Sequence, residues 1–98
     1  TYEINSKVRE ARSLKEEAED RLLFAEDVKR DAGHRLALVY DNPNHTAAEV
    51  NQAVRELSRA IVAHADALPV ANQARQLFRQ YRSEQARQQE AATSADGQ

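Results

Sequence analysis

Apolar residues recur along the first forty positions in steps of three and four. Ile4, Ala11, Ala18, Ala25, Ala32 and Val39 stand at every seventh position without a break. Val8, Lys15, Leu22, Lys29 and Leu36 follow the same repeat one step away, with Leu14 and Val28 beside the two lysines. This alternation predicts an amphipathic helix over about 4–40, with a narrow seam of the kind seen in coiled coils. Such a helix is about 55 Å long. Alanine in the seam lets a partner helix approach toward about 8 Å. Lys15 and Lys29 are expected at the seam's edge, with stems covered and ammonium groups in water. Gly33 is the weak point, about 1 kcal/mol worse than alanine inside a helix. With no cap signal beside it, the expectation is a helix continuous through Gly33, the glycine allowing a close contact or marking a kink.

Asp41-Asn42-Pro43-Asn44 ends this pattern, because proline has no amide donor and holds Asn42 out of the helical region. A restart follows at once. Thr46-Ala47-Ala48-Glu49 has the form of a capping box, hydroxyl to amide in one direction and carboxylate to amide in the other. A second helix over about 47–67 then places Val50, Val54, Leu57, Ile61 and Leu68 on one face, widened by Ala53 and Ala60. Pro69 fits the first position of a third helix over about 70–90, where a missing donor costs nothing. Val70, Ala74, Leu77, Phe78 and Tyr81 carry that helix's face. From Arg82 onward the chain is almost wholly polar residues and alanine, and 93–98 reads as a frayed tail.

The expected fold class is therefore all-α, a single helical module over 1–92 built as a three-helix bundle with a long first helix. The alternative is a long antiparallel helical hairpin kinked at Pro69. The bundle is favoured because an alanine-rich hairpin buries little apolar area for its length.

Composition narrows the class further. Two glycines and two prolines in 98 residues are too few for a turn-rich β fold. Charged residues make up 31% and are mixed in sign, with regular apolar positions between them, which favours solvated helices over disorder. The net charge of −2 supplies no field for gathering nucleic acid or anionic lipid. No run approaches the roughly 18 apolar residues of a membrane span. The chain holds no cysteine, which excludes disulfides and the usual zinc sites. An opening of Thr1-Tyr2-Glu3, without methionine, suggests a segment of a longer protein.

Residues 42–68 carry a resemblance. Asn42-Pro43-Asn44-His45-Thr46-Ala47-Ala48-Glu49-Val50-Asn51-Gln52-Ala53, followed by Leu57, Ala60 and Ile61, resembles the signature of the FIVAR family. These are small helical modules repeated in surface proteins of Gram-positive and actinobacterial species. The chain departs from that pattern in lacking tryptophan and in placing His64 where the family tends to have leucine. The resemblance implies a helical bundle in a cell-wall-attached or secreted multidomain protein. It would act as a spacer, an adhesive unit toward host or matrix ligands, or an accessory beside glycoside hydrolase domains, with neighbouring modules of the same chain as further partners. It supplies no catalytic residue.

No active-site pattern is legible, and neither a cofactor nor a metal is expected. His34, His45 and His64 have no partners at metal-ligand spacing, and His64 is expected as a half-buried packing residue. Glu16-Glu17 and Glu19-Asp20, beside Arg12, Lys15 and Arg21, read as a solvated, charge-paired face rather than as acid/base pairs. One candidate partner surface stands out: Arg75, Arg79 and Arg82 at helical spacing, with Phe78 and Tyr81 alongside. Three functional expectations follow. The first is a non-catalytic structural or adhesive module of an extracellular surface protein. The second is a cytoplasmic helical scaffold or oligomerisation domain that binds a partner helix. The third and weakest is nucleic-acid binding through the arginine stripe, diluted by Gln73, Gln76, Gln80 and Gln85.

Overall fold

A computed structural model describes residues 1–96. It contains two helices, α1 from Tyr2–Asp41 and α2 from Ala47–Asp96, and no strand among the described residues. The chain divides into two compact units, one of Asp20–Pro69 and one of Thr1–Glu19 with Val70–Gln98. The all-α class is as the periodicity implies. The three-helix bundle is not what forms: there is no break at Pro69 and hence no separate third helix. A hairpin accounts better for the two-helix order. Thr93–Asp96, expected as frayed, continue α2, while Gly97 and Gln98 of that tail lie outside the described residues.

The starts and stops of both helices have identifiable causes. Thr1 caps α1, its Oγ1 accepting from the Ile4 amide at 3.3 Å. The helix ends as the Asn42 amide donates to the Leu38 carbonyl at 3.2 Å. The Asn44 amide then donates to Asn42 Oδ1 at 3.0 Å, and the His45 amide to the Asn42 carbonyl at 3.1 Å, closing the turn. The capping box forms in both directions. The Glu49 amide donates to Thr46 Oγ1 at 3.2 Å and the Thr46 amide to Glu49 Oε1 at 3.3 Å.

In the unit Asp20–Pro69, the later part of α1 and the first part of α2 run antiparallel on either side of this turn. Leu22, Ala25 and Ala32 are buried from α1, and Ala53 and Ala60 from α2. Two polar contacts fix the pairing: Arg35 Nη1 lies 3.6 Å from Glu56 Oε2, and Glu26 Oε1 lies 3.8 Å from His64 Nε2. As one partner's number rises, the other's falls. In the unit formed by 1–19 and 70 onward, Ile4, Val8, Ala11, Ala18 and Ala71 are buried. The Thr1 amino group donates to Gln88 Oε1 at 3.0 Å, Gln85 Nε2 to Asn5 Oδ1 at 2.8 Å, and Arg75 Nε to Glu19 Oε2 at 3.0 Å. The order is again antiparallel.

The α1 seam is the one the repeat predicts, with Val39 half-buried at its end. Lys15 is half-buried as expected, but Lys29 is exposed and Val28 takes the edge position. The α2 face departs from expectation. Its least exposed positions follow Val50, Ala53, Leu57, Ala60, His64, Ala67, Ala71, Ala74, Phe78, Tyr81, Gln85 and Gln88. Val54, Ile61 and Leu68, expected on that face with Val50 and Leu57, stand at its edge with 42%, 45% and 40% of their surface exposed. The opposing seam is alanine, and close approach selects small residues on both sides.

That repeat of three and four is unbroken across Pro69, and it explains why the helix continues. Pro69 is itself exposed, and so is Ala65, whose carbonyl loses its partner to the missing amide. Water can satisfy that carbonyl, so the break costs less than it would in a core. Gly33 also lies inside a continuous helix, and a Cβ placed there would meet nothing within 4 Å. The glycine therefore serves no close contact.

Candidate functional site

The arginine stripe on α2 separates into two parts in the unit that holds it. Arg75 is half-buried and turned toward α1, where its Nε donates to Glu19 Oε2 at 3.0 Å; its Nη1 also reaches Asn72 Oδ1 at 3.4 Å. Lys15 Nζ lies 3.0 Å from the other oxygen of Glu19. Each carboxylate oxygen thus faces one cation. The Lys15 hydrogen bond, then that of Arg75, holds the Glu19 carboxyl below the ordinary carboxylate range.

The aromatics expected to interleave with the arginines face inward. Phe78 is half-buried beneath Lys15 Nζ, 5.3 Å from the ring centroid, and Arg12, 5.7 Å away. Lys7 Nζ stands 5.8 Å from the Tyr81 ring centroid. Cations of α1 therefore occupy these rings, at distances where the attraction is about 0.5–1 kcal/mol near the surface. Arg79 and Arg82 are exposed, and Arg79 Nε is within 3.5 Å of the Arg75 carbonyl. Arg79 borders a shallow recess of about 630 Å³ with Asn72, Gln76, Gln80, Ser83 and Arg87. The structure groups Arg75, Phe78 and Tyr81 with α1, and leaves Arg79 and Arg82 outside.

A second recess, of about 560 Å³, opens beside the turn in the unit Asp20–Pro69. Leu38, Val39, Ala48 and Ala53 give it an apolar lining, and Arg35 and Glu56 are among its charged residues. Nearby, His45 Nδ1 lies 2.8 Å from the Asn42 carbonyl and its ring meets Tyr40 edge-on at 5.8 Å. His34 is exposed, and His64 is half-buried on the α2 seam beside Glu26, as expected for a packing residue. Among the described residues, no three His, Asp or Glu side chains are grouped to hold a metal ion, and no helix is long and apolar enough to cross a membrane.

No family model, curated protein or solved structure matches the chain. Its chemistry has to be read from its own surfaces. Sequence reasoning placed Glu19 on a charge-paired face and Val54, Ile61 and Leu68 on the α2 face, but missed Glu19's bridge to Arg75 and the exposure of that row. The Lys15–Glu19 pair at four-residue spacing signalled the first. The second was visible as a row at seven-residue spacing, one step off the alanine seam.

Proposed function

We propose that this chain is a non-catalytic helical module that spaces and presents side-chain surfaces in a bacterial surface or secreted protein. The observation that carries the reading is the composition of its interior. Among the described residues, seven of the ten buried apolar residues are alanine, and no large side chain is fully buried. Paired helices joined along so thin a seam put most of their side chains on the outside, where they can meet host, matrix or neighbouring-module surfaces. The likeness of residues 42–68 to the FIVAR signature supports the same assignment. Its capping box and Asn-Pro turn set the direction of the chain as it enters α2. An antibody raised against the chain should label intact cells of the source organism. Labelling only after permeabilisation would overturn the surface assignment.

One observation favours a second reading, a helical scaffold that binds a partner helix. Val54, Ile61 and Leu68 keep 40–45% of their surface exposed although they form a regular apolar row. In α2 over 50–68, apolar residues occupy the seam and one flank together, a width typical of helices with more than one neighbour. A binding screen with amphipathic helical peptides tests this reading. Binding lost on Leu68→Glu supports it, and binding indifferent to that change would remove it.

A further inference from the structure

We infer that the α2 flank bearing Val54, Ile61 and Leu68 is a self-association surface that joins two copies of this chain, α2 against α2, about a two-fold axis near Ile61. This rests on the scaffold reading and deepens it by naming the partner.

Three observations point to a second copy, two of them in the unit Asp20–Pro69 and one on the chain as a whole. The first is charge. Around α2 over 50–68, the flank beyond the apolar row carries Asn51, Ser58 and Ala65, all exposed and uncharged. The ionised residues Arg55, Glu56, Arg59 and Asp66 all fall on the remaining arc of the helix. A surface that meets its own copy brings like against like at the axis, and this flank has no charge there to repel. Desolvating it costs little, since the polar groups are one amide and one hydroxyl at the border.

The second is spacing. Val54 and Leu68 lie seven residues before and after Ile61, so the row reads the same in both directions. Antiparallel pairing about Ile61 sets each Val54 against the partner's Leu68 and each Ile61 against its counterpart. The small Ser58, three residues before Ile61, and Ala65, four residues after it, stand beside the crossing point and let the helices come close. A heterologous partner would not need this symmetry, whereas an isologous dimer does.

The third is area. The chain exposes 7316 Å². A compact monomer of 11.0 kDa presents roughly 5,600 Å² by the usual scaling, so the excess is about 1,700 Å². A standard interface takes about 800 Å² from each partner. One dimer contact of that size is therefore smaller than the excess.

Sedimentation of the purified chain across about 1–200 µM, a range that spans micromolar dissociation constants, tests the inference. The expected result is a concentration-dependent dimer. Ile61→Glu should weaken it about a hundredfold or more, because two carboxylates would be buried together at the axis. Ser58→Glu, at an exposed position outside the seam, should weaken it in the same direction while leaving the helical circular dichroism intact, so a folding defect of the first variant would not obscure the outcome. Phe24→Glu, on α1 at a residue 71% exposed, should leave the mass unchanged. Since the chain has no cysteine, Ile61→Cys gives a single thiol, which should oxidise to a covalent dimer if the axis is where we place it. A monomer at every concentration would overturn the inference while leaving a heterologous helix partner for the peptide screen. A dimer indifferent to both Ile61→Glu and Ser58→Glu, or a dimer that Ile61→Cys cannot cross-link, would overturn it as well.

Discussion

Glu19 accepts a hydrogen bond from Arg75 at 3.0 Å across 56 residues of sequence, and it does so while Lys15 holds its other oxygen at 3.0 Å. The contact links α1 to α2 at the position where Phe78 lies beneath Lys15. One carboxylate thus gathers two cations that would otherwise repel each other, one of them, Lys15, above the Phe78 ring. Exposed ion pairs are weak on their own. Here the three side chains share their ordering, so the electrostatic part is best isolated through its pH dependence.

Glu19 is held below the ordinary carboxylate range by Lys15 first and Arg75 second. A depressed acid stabilises the fold above its unfolded value, about 4.3 for glutamate. That contribution is lost as pH falls through the lower folded value. Glu19→Gln should therefore melt below the wild type at neutral pH, and the gap should close as both proteins are taken to about pH 3 or below. Thermal melts followed by circular dichroism at both pH values read this directly. A gap of equal size at both would mean that the carboxylate's charge contributes nothing.

Gly33→Ala should stabilise the protein by about 0.5–1 kcal/mol. The glycine is helical, its φ is not positive, and a Cβ there meets nothing within 4 Å. The substitution then removes unfolded-state freedom and adds no clash. Urea unfolding measures it, with a raised midpoint and an unchanged slope expected. A lowered midpoint would show that the position is tighter than the open space around it indicates.

Thr46→Ala should cost about 1 kcal/mol, the usual loss for a helix cap. Both arms of the box depend on this residue, through its hydroxyl at 3.2 Å and its amide at 3.3 Å. Thr46→Ser keeps the hydroxyl and should recover most of the loss. Equal destabilisation by the two changes, again in urea, would place the effect in the methyl group instead.

The capping box, the Asn-Pro turn and the α1 seam were legible in the sequence because each is a local pattern with one physical solution. Thr46 and Glu49 need only each other, and Ile4 to Val39 repeat without interruption. The α2 face was harder to read for a reason of packing. Val54, Ile61 and Leu68 are the larger apolar residues, and burial by size alone puts them at the centre. Their true place was set by the alanines of α1, which admit only Ala53, Ala60 and Ala71 at the closest approach. That is a property of two segments together, invisible within either. Pro69 misled in a related way: a local breaker was overridden by a seam whose spacing continues on both sides. The candidate arginine surface was legible as a stripe, but Arg75's partner lies 56 residues away. No spacing rule reaches that far.

Pro69→Ala offers the sharpest test of α2. If Pro69 opened a third helix, its missing amide would have cost nothing and alanine would bring no gain. Inside a continuous helix, the substitution restores an amide for the exposed Ala65 carbonyl and removes a steric conflict with the preceding turn. The expected gain is about 2–3 kcal/mol, the interior penalty of proline less the part returned by its stiffening of the unfolded chain. For a domain of this size that raises the melting temperature by about 8 °C or more. Amide hydrogen exchange over 66–72 should slow in the same variant, since the bonds flanking the gap become part of an unbroken ladder. No change in melting temperature together with unchanged exchange would mean that α2 is interrupted in solution and that Pro69 stands at a true helix start.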